Sequence, residues 1–316
     1  MPVVVSQLSD SDHHGVTSLW QSATDQRRRE IGLERLVEQG LPMERPGVFA
    51  VGVVDGETLL SMALAMPARA DDGRSEHNVP GLAHISSVAT LPGRWGEGLG
   101  GLCVRAIMGQ ATRRGFARAQ LWTHHTNVGA RRLYERERFE TSGRHKVDDH
   151  DEPIVHYMRE LPVLPWISRP ASRLVCLDAE DRVLLLHWRD PLDGFQLWEP
   201  PGGGIEPGES PYHAVLREWR EETGLPVPDM VEEPTWVGRE VLFNGYRSVV
   251  DEAFFLGRSS AADDPRLDEA TAAEQDAYLG HAWVPWTELD GLADPVEPDL
   301  VPVLRRLAPD GPWRPA

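Results

Sequence analysis

The sequence predicts a two-domain α+β protein, on three observations. Its 316 residues exceed the roughly 100–200 of an ordinary domain. Strand-like and helix-like hydrophobic periods alternate through both halves, which fits sheets covered by a few helices and not an all-helical bundle. Between the halves, Leu161-Pro162-Val163-Leu164-Pro165, followed by Ser168 and Pro170, breaks both patterns, because proline fixes an extended backbone and has no amide hydrogen to give. The reading is a first domain at 1–160, a Pro-rich linker at 161–165 and a second domain at 166–316.

In chain order, strands are expected at 3–8, 48–54, 58–66, 83–91, 118–123 and the pair 139–146 and 153–160, the last two joined across the acidic turn DDHDE. Helices are expected at 14–25, 27–39, 99–115 and 127–138, from spacings such as Leu99, Cys103 and Ile107 on one face. Together they make a mixed sheet covered by helices. In the second half, strands at 172–178 and 183–188 flank the polar turn DAEDR. A helix at 211–223, strands near 235–243, 248–257 and 282–284, and a helix at 298–307 follow. The acidic, alanine-rich stretch 261–276 reads as a loop or a short solvated helix.

A hydrophobic content of 41% and a charged content of 26% are those of a globular chain and exclude a disordered or fibrous one. No apolar run approaches the roughly 20 residues that span a bilayer, so no membrane partner is expected. The start MPVVVSQLSDSDHH lacks the basic and apolar regions of a signal peptide, and the expected compartment is the cytoplasm. Cys103 and Cys176 lie in apolar surroundings and are expected to be free thiols. The net charge of −18 is uneven, since residues 166–316 hold 13 Lys and Arg against 29 Asp and Glu, a net of −16. Such a surface repels phosphates, so no nucleic-acid partner is expected, and a small anionic substrate needs metal ions to enter.

The stretch GGGIEPGESPYHAVLREWREETGL, Gly202 to Leu225, carries the second domain's chemistry. Ser210 then Pro211 is a helix start, and Gly224 a helix stop. At 100° per residue, Glu218, Glu221 and Glu222 form one stripe beside an apolar one of Tyr212, Val215, Leu216 and Trp219. Anions in a last turn cost roughly 0.3–1 kcal/mol each, which a wet surface tolerates, so the helix alone is also consistent with a solvated acidic face. The glycines change the weighting: Gly202, Gly203 and Gly204 allow a turn whose backbone approaches a ligand, and clustered carboxylates supply hard oxygen donors suited to Mg²⁺ or Mn²⁺.

In full, Gly203, five residues, Glu209, seven residues, Arg217-Glu218-Trp219, one residue, Glu221-Glu222, one residue, Gly224-Leu225 resembles the Nudix box. The resemblance implies an α/β/α sandwich over about residues 166–310 that hydrolyses a nucleoside diphosphate linked to another moiety. It implies Glu218 and Glu222 as the main metal ligands, Glu221 in support and the Gly202 carbonyl as a further oxygen. Arg217 then holds the glutamate rotamers and Glu209 joins the outer shell. The metal polarises phosphoryl oxygens and lowers the pKa of a bound water. The proton acceptor is a box glutamate or a later acid, Glu252, Glu274 or Asp276; Trp198, Phe243, Tyr246 and Trp283 are core residues or base-stacking ones.

In the first half, the 83–91 strand leads into LPGRWGEGLGGLCVRAIMGQATRRG, where Gly96, Gly98 and Gly100 open a helix, a recipe for a phosphate cradle of backbone amides. Downstream, NVGARRLYERERF supplies Asn127, Ala130, Leu133, Tyr134 and Phe139. The two stretches together resemble the acetyl-CoA-binding core of the GNAT N-acyltransferases over about residues 1–160. Two positions depart: Trp95 stands where the family usually has Arg or Gln, and Arg138 where Gly usually precedes Phe139. The resemblance implies that the amides of Gly96, Gly98, Leu99 and Gly100 hold the coenzyme A pyrophosphate, with Asn127 also in the cofactor site. Backbone groups of Val88 and Thr90 then pair with the pantetheine arm, and Tyr134 protonates the leaving thiolate. The proton of the amine acceptor goes to His84, His124, His125 or a water chain.

The expected function is a fusion of a Mg²⁺-dependent pyrophosphohydrolase with an acetyl-CoA-dependent N-acetyltransferase. Two alternatives stay open: a first half that only binds acyl-CoA and regulates the second, and an acidic helix that binds nucleotide without hydrolysis.

Overall fold

A computed structural model of the protein describes residues 3–33, 41–260, 262–266 and 276–314. The chain forms two compact units, Met1–Val163 with Pro191–Phe195, and Leu164–Asp190 with Gln196–Ala316. No described helix is long and apolar enough to cross a membrane. Cys103 and Cys176 are both free and buried.

The first unit is built on β1 (Val4–Leu8), β2 (Phe49–Asp55), β3 (Thr58–Arg69), β4 (Asn78–Thr90), β5 (Arg118–His124), β6 (Glu140–Val147) and β7 (Pro153–Glu160), in the order β1-β2-β3-β4-β5-β7-β6. Its helices are α1 (His13–Glu30), α2 (Leu99–Arg113) and α3 (Val128–Arg136). Strand alternation explains the unbroken apolar run of β3. Met62, Leu64 and Met66 pack with Val16 and Leu19 of α1, and Ala63 and Ala65 pack with Cys103, Val104 and Ile107 of α2, so both faces are covered. Where two helices are expected at 14–25 and 27–39, α1 runs unbroken to Glu30. Its Asp25-Gln26-Arg27 stretch holds neither proline nor glycine, and Gly32, at φ +72°, follows the end. Residues 34–39 of the second expected helix lie outside the described residues.

One irregularity positions the first site. The β3–β4 register passes from Leu64 opposite Ser87 to Ala65 opposite Ile85, so Ser86 is an extra residue, a β-bulge. β4 then pairs with β5 in parallel only over Leu82–Ile85 against Arg118–Leu121. Beyond that ladder, Ser86–Thr90 of β4 and Trp122–His124 of β5 are split from one another.

The second unit contains β8 (Trp166–Ile167), β9 (Ala171–Leu177), β10 (Arg182–Arg189), β11 (Gln196–Glu199), β12 (Gly202–Gly204), β13 (Asp229–Met230), β14 (Thr235–Phe243), β15 (Tyr246–Arg258) and β16 (Tyr278–Pro285). Its helices are α4 (Pro211–Thr223) and α5 (Leu300–Leu307). The central path is β11-β10-β9-β15-β13, with β12 on β9, β14 and β8 on β15, and β16 on β10. All seven residues of β9 are buried, because Leu174 and Cys176 pack with Val215 and Trp219 of α4 while Val175 and Leu177 pack with Leu300, Val303 and Leu304 of α5. The layers are helix, sheet, helix. The glycines read as a turn at 202–204 are instead the strand β12, antiparallel to Ala171–Arg173. Residues 262–266 take no regular structure, and 261 and 267–275 lie outside the described residues.

Candidate active sites

The acidic helix is set by its own signals. Ser210 Oγ accepts the His213 amide at 3.2 Å, Pro211 occupies the first turn, and Gly224 closes the helix at φ +61°. Burial of Ala214, Val215, Trp219 and Thr223 fixes its rotation. Arg217 then gathers the glutamates. Its Nε and Nη2 donate to the two oxygens of Glu209 at 3.2 and 3.1 Å, and its Nη1 donates to Glu218 at 2.9 Å and Glu221 at 3.0 Å. Nη2 also reaches the Gly204 carbonyl at 2.9 Å, tying the helix to β12.

Glycine is required where β12 passes between β9 and α4. A Cβ on Gly203 would stand 2.7 Å from the Glu218 carboxyl carbon, and one on Gly202, at φ +145°, would stand 2.2 Å from the Ser172 carbonyl oxygen. The Gly202 amide donates to Glu222 Oε2 at 2.7 Å. Burial pushes the Glu222 carboxyl well above its ordinary pKa, against that amide, and the Glu218 charge pushes the same way. The donor set is all oxygen and fits a hard divalent cation, whose charge would relieve the crowding of Glu218, Glu221 and Glu222. The Gly202 carbonyl accepts a long contact from Arg173 Nη1, at 3.4 Å.

Beneath these lies an ionic network that sequence reasoning missed. Arg173 of β9 reaches Glu199 at 2.9 Å, Glu252 at 3.1 Å and the Pro200 carbonyl at 3.1 Å; Arg239 of β14 donates to Glu252 at 2.8 Å. Burial raises the Glu252 carboxyl, but the two guanidiniums outweigh it and hold it below the ordinary range. A carboxylate so paired is a poor proton acceptor. The available signal was an arginine inside each of two otherwise strand-like runs, ASRLVCL and TWVGREVLF. Of the other acids, Asp276 is exposed and Glu274 lies outside the described residues. Trp198 stacks on His187 at 4.1 Å and 6°, Trp283 donates to the Asp263 carbonyl, Phe243 is half-buried and Tyr246 is 47% exposed.

In the first unit, Gly96 and Gly98 adopt φ +89° and +85°, and Gly98 leads into α2, whose first amides have no acceptor within the helix. A Cβ on Gly100 would meet Leu133 at 3.2 Å and Thr90 Oγ1 at 3.3 Å, so the glycine loop, the end of β4 and α3 converge. Val88 and Thr90 lie on the stretch of β4 split from β5. The Trp95 indole donates to the Thr90 carbonyl at 2.8 Å. Asn127 caps α3, its Oδ1 accepting the Ala130 amide at 3.1 Å. Tyr134 packs against Phe139 and Tyr157, and burial pushes its phenol up, which keeps it a proton donor. Arg138 sits at φ +62°, the left-handed conformation that a glycine would take at ease.

The histidines differ. His124 Nε2 bonds Asp148 Oδ2 at 3.0 Å, His125 is exposed, and His84 has a shielded Nδ1 with no partner. Burial, with His156 and Lys146 adding, lowers His84 to about 4. Among the described residues His124, Asp148 and Glu152 are the one trio with ligand atoms within 4.8 Å of one another. Glu152, however, is paired with Arg27 and Arg28, and two guanidiniums there repel a dication.

The NUDIX domain model matches residues 168–307, and the model of the acetyltransferase (GNAT) family matches residues 14–138. The chain belongs to the Nudix family through its second unit and carries a GNAT acetyltransferase domain in its first. The RNA pyrophosphohydrolase of Gluconacetobacter diazotrophicus is 33% identical over 153 residues, 43% of this chain and 86% of that protein. The enzyme of the same name from Mesorhizobium japonicum is 29% identical over 146 residues, 42% and 83% of the two chains. Among solved structures, the ribosomal-protein-S18-alanine N-acetyltransferase from Escherichia coli is similar at 14% identity with a TM-score of 0.39, over 51% of this chain and 96% of that one.

Proposed function

We propose that the protein is bifunctional: its second unit hydrolyses the phosphoanhydride of a nucleoside diphosphate derivative with Mg²⁺ or Mn²⁺, and its first transfers acetyl from acetyl-CoA to an amine. The observation that carries the hydrolase reading is the Arg217 clasp on Glu209, Glu218 and Glu221, with Glu222 turned onto the Gly202 amide. Glu218, Glu221, Glu222 and the Gly202 carbonyl would hold the cation, which supplies polarisation of phosphoryl oxygens and an acidified water. Arg217 fixes the carboxylate directions, and Gly203 leaves Glu218 room beside the strand.

Relatives named RNA pyrophosphohydrolase bring RNA with a terminal phosphoanhydride into the substrate range, so the expected exclusion of nucleic acid is not kept. The test is a substrate panel of both kinds with Mg²⁺, products read by mass spectrometry. Glu222→Gln should lower turnover about 100-fold or more and weaken Mg²⁺ binding. Unchanged turnover would leave a nucleotide-binding module.

For the first unit, the amides of Gly96, Gly98, Leu99 and Gly100 cradle the pyrophosphate, and the split edge of β4 at Val88 and Thr90 takes the pantetheine arm. Tyr134 hands its proton to the departing sulfur. The split beyond Ile85 supports this reading. Tyr134→Phe should cut acetyl transfer about 100-fold with acetyl-CoA affinity retained. Calorimetric binding of acetyl-CoA without transfer to any amine would favour a regulatory domain.

A further inference from the structure

On the sheet face that carries Met66 and α1, the stretch across β4, β5 and β7 turns polar. By register, His84 lies opposite Gln120, and Trp122 opposite His156, and these share a face. The neighbouring Ala83, Ala119, Leu121 and Tyr157, which alternate with them, belong to the core on the other face. Trp122 is the first residue of β5 beyond the β4 ladder, so the patch lies at the mouth of the split. Two cations stand over its indole: Lys146 Nζ at 4.4 Å from the ring centroid and the Arg144 guanidinium carbon at 5.4 Å. Arg144 is paired with Asp72; among the described residues no carboxylate pairs with Lys146. His156 is fully engaged, with Ser142 Oγ at 2.7 Å and Gln120 Oε1 at 3.1 Å, while His84 keeps its unpartnered Nδ1. Lys146 feels the Asp72 charge but makes no direct ion pair with it, so an ammonium without a bonded carboxylate and an unpartnered ring nitrogen share this patch, and an anion with a hydrogen-bond donor would satisfy both.

We propose that this patch receives the acyl acceptor and that Lys146 binds a carboxylate on it, so that the acceptor is a small amine that also carries a carboxylate, as an amino acid does. The inference rests on the acetyl-CoA reading above, which lays the thioester in the split. In the transfer, the acceptor nitrogen bonds to the acyl carbon, the carbon–sulfur bond breaks, coenzyme A leaves as the thiol and the surplus proton of the ammonium goes to solvent. A polyamine or plain alkylamine would meet a cation where its tail needs none.

Lys146 is the only lysine in the chain, which makes the test selective. Initial rates at saturating acetyl-CoA would be compared for an amino acid and its carboxamide. The amino acid should be the better acceptor, and Lys146→Gln should raise its KM about tenfold, leaving the carboxamide KM and acetyl-CoA affinity unchanged. Lys146→Arg should keep the preference. The amino acid should also protect Lys146 from an amine-directed acylating reagent, read by peptide mass. Equal kcat/KM for amino acid and carboxamide, or equal losses on both in Lys146→Gln, overturns the inference. Turnover of no amine at all would remove the transferase reading and this inference with it; turnover without carboxylate preference removes the inference alone.

Discussion

Arg138 and His84 show single side chains in conformations or states that their positions impose. Arg138 occupies a left-handed backbone at φ +62°, and Arg138→Gly should stabilise the protein by about 0.5–1 kcal/mol in denaturant titration. A loss instead would mean that the arginine side chain supports its neighbours. His84 is held neutral in the folded state, lowered from 6.5 to about 4 chiefly by burial. Its contribution to stability is therefore complete above pH 6.5 and is lost as pH falls from there toward 4. His84→Gln should flatten that part of the Tm profile, and an unchanged acid limb would assign it to other groups, the similarly lowered His156 first. Neither state was legible beforehand. Arg138 stood out only as a departure from a family pattern, and nothing in the sequence told His84 from His124, because burial and partners come from distant strands.

Among the elements, those with local signals were legible and those made by partners were not. The helix α4 begins at a hydroxyl cap and a proline and ends at a glycine, and it lies where those residues put it. The strand β12 is three glycines, which carry no strand propensity; it extends because Ala171–Arg173 offers a free edge. Gln196–Glu199 became a strand for the same reason, pairing with Leu186–Arg189. Because β12 lies against the acidic helix, Gly203→Ala should displace the Glu218 carboxylate, whose carbon is 2.7 Å from the new methyl. Hydrolysis should fall at least about tenfold with acetyl transfer untouched, and full hydrolytic activity would show that Glu218 can move without consequence.

For the whole molecule, two cores stand behind two chemistries. The clusters around α1 and α2 are built from the first unit alone, and those around α4 and α5 from the second alone. The two activities should accordingly be separable: the Glu222→Gln protein keeps acetyl transfer and the Tyr134→Phe protein keeps hydrolysis. A change in hydrolysis on adding acetyl-CoA would instead support regulation of one by the other. The extra residue at Ser86 has a consequence of its own. Two neighbouring parallel strands would ordinarily zip to their ends and heal into continuous sheet, leaving nowhere for a guest to lie. Here the extra serine stands where the seam comes unstitched, so the gap proposed for the pantetheine arm is a feature of the backbone and does not depend on any particular side chain.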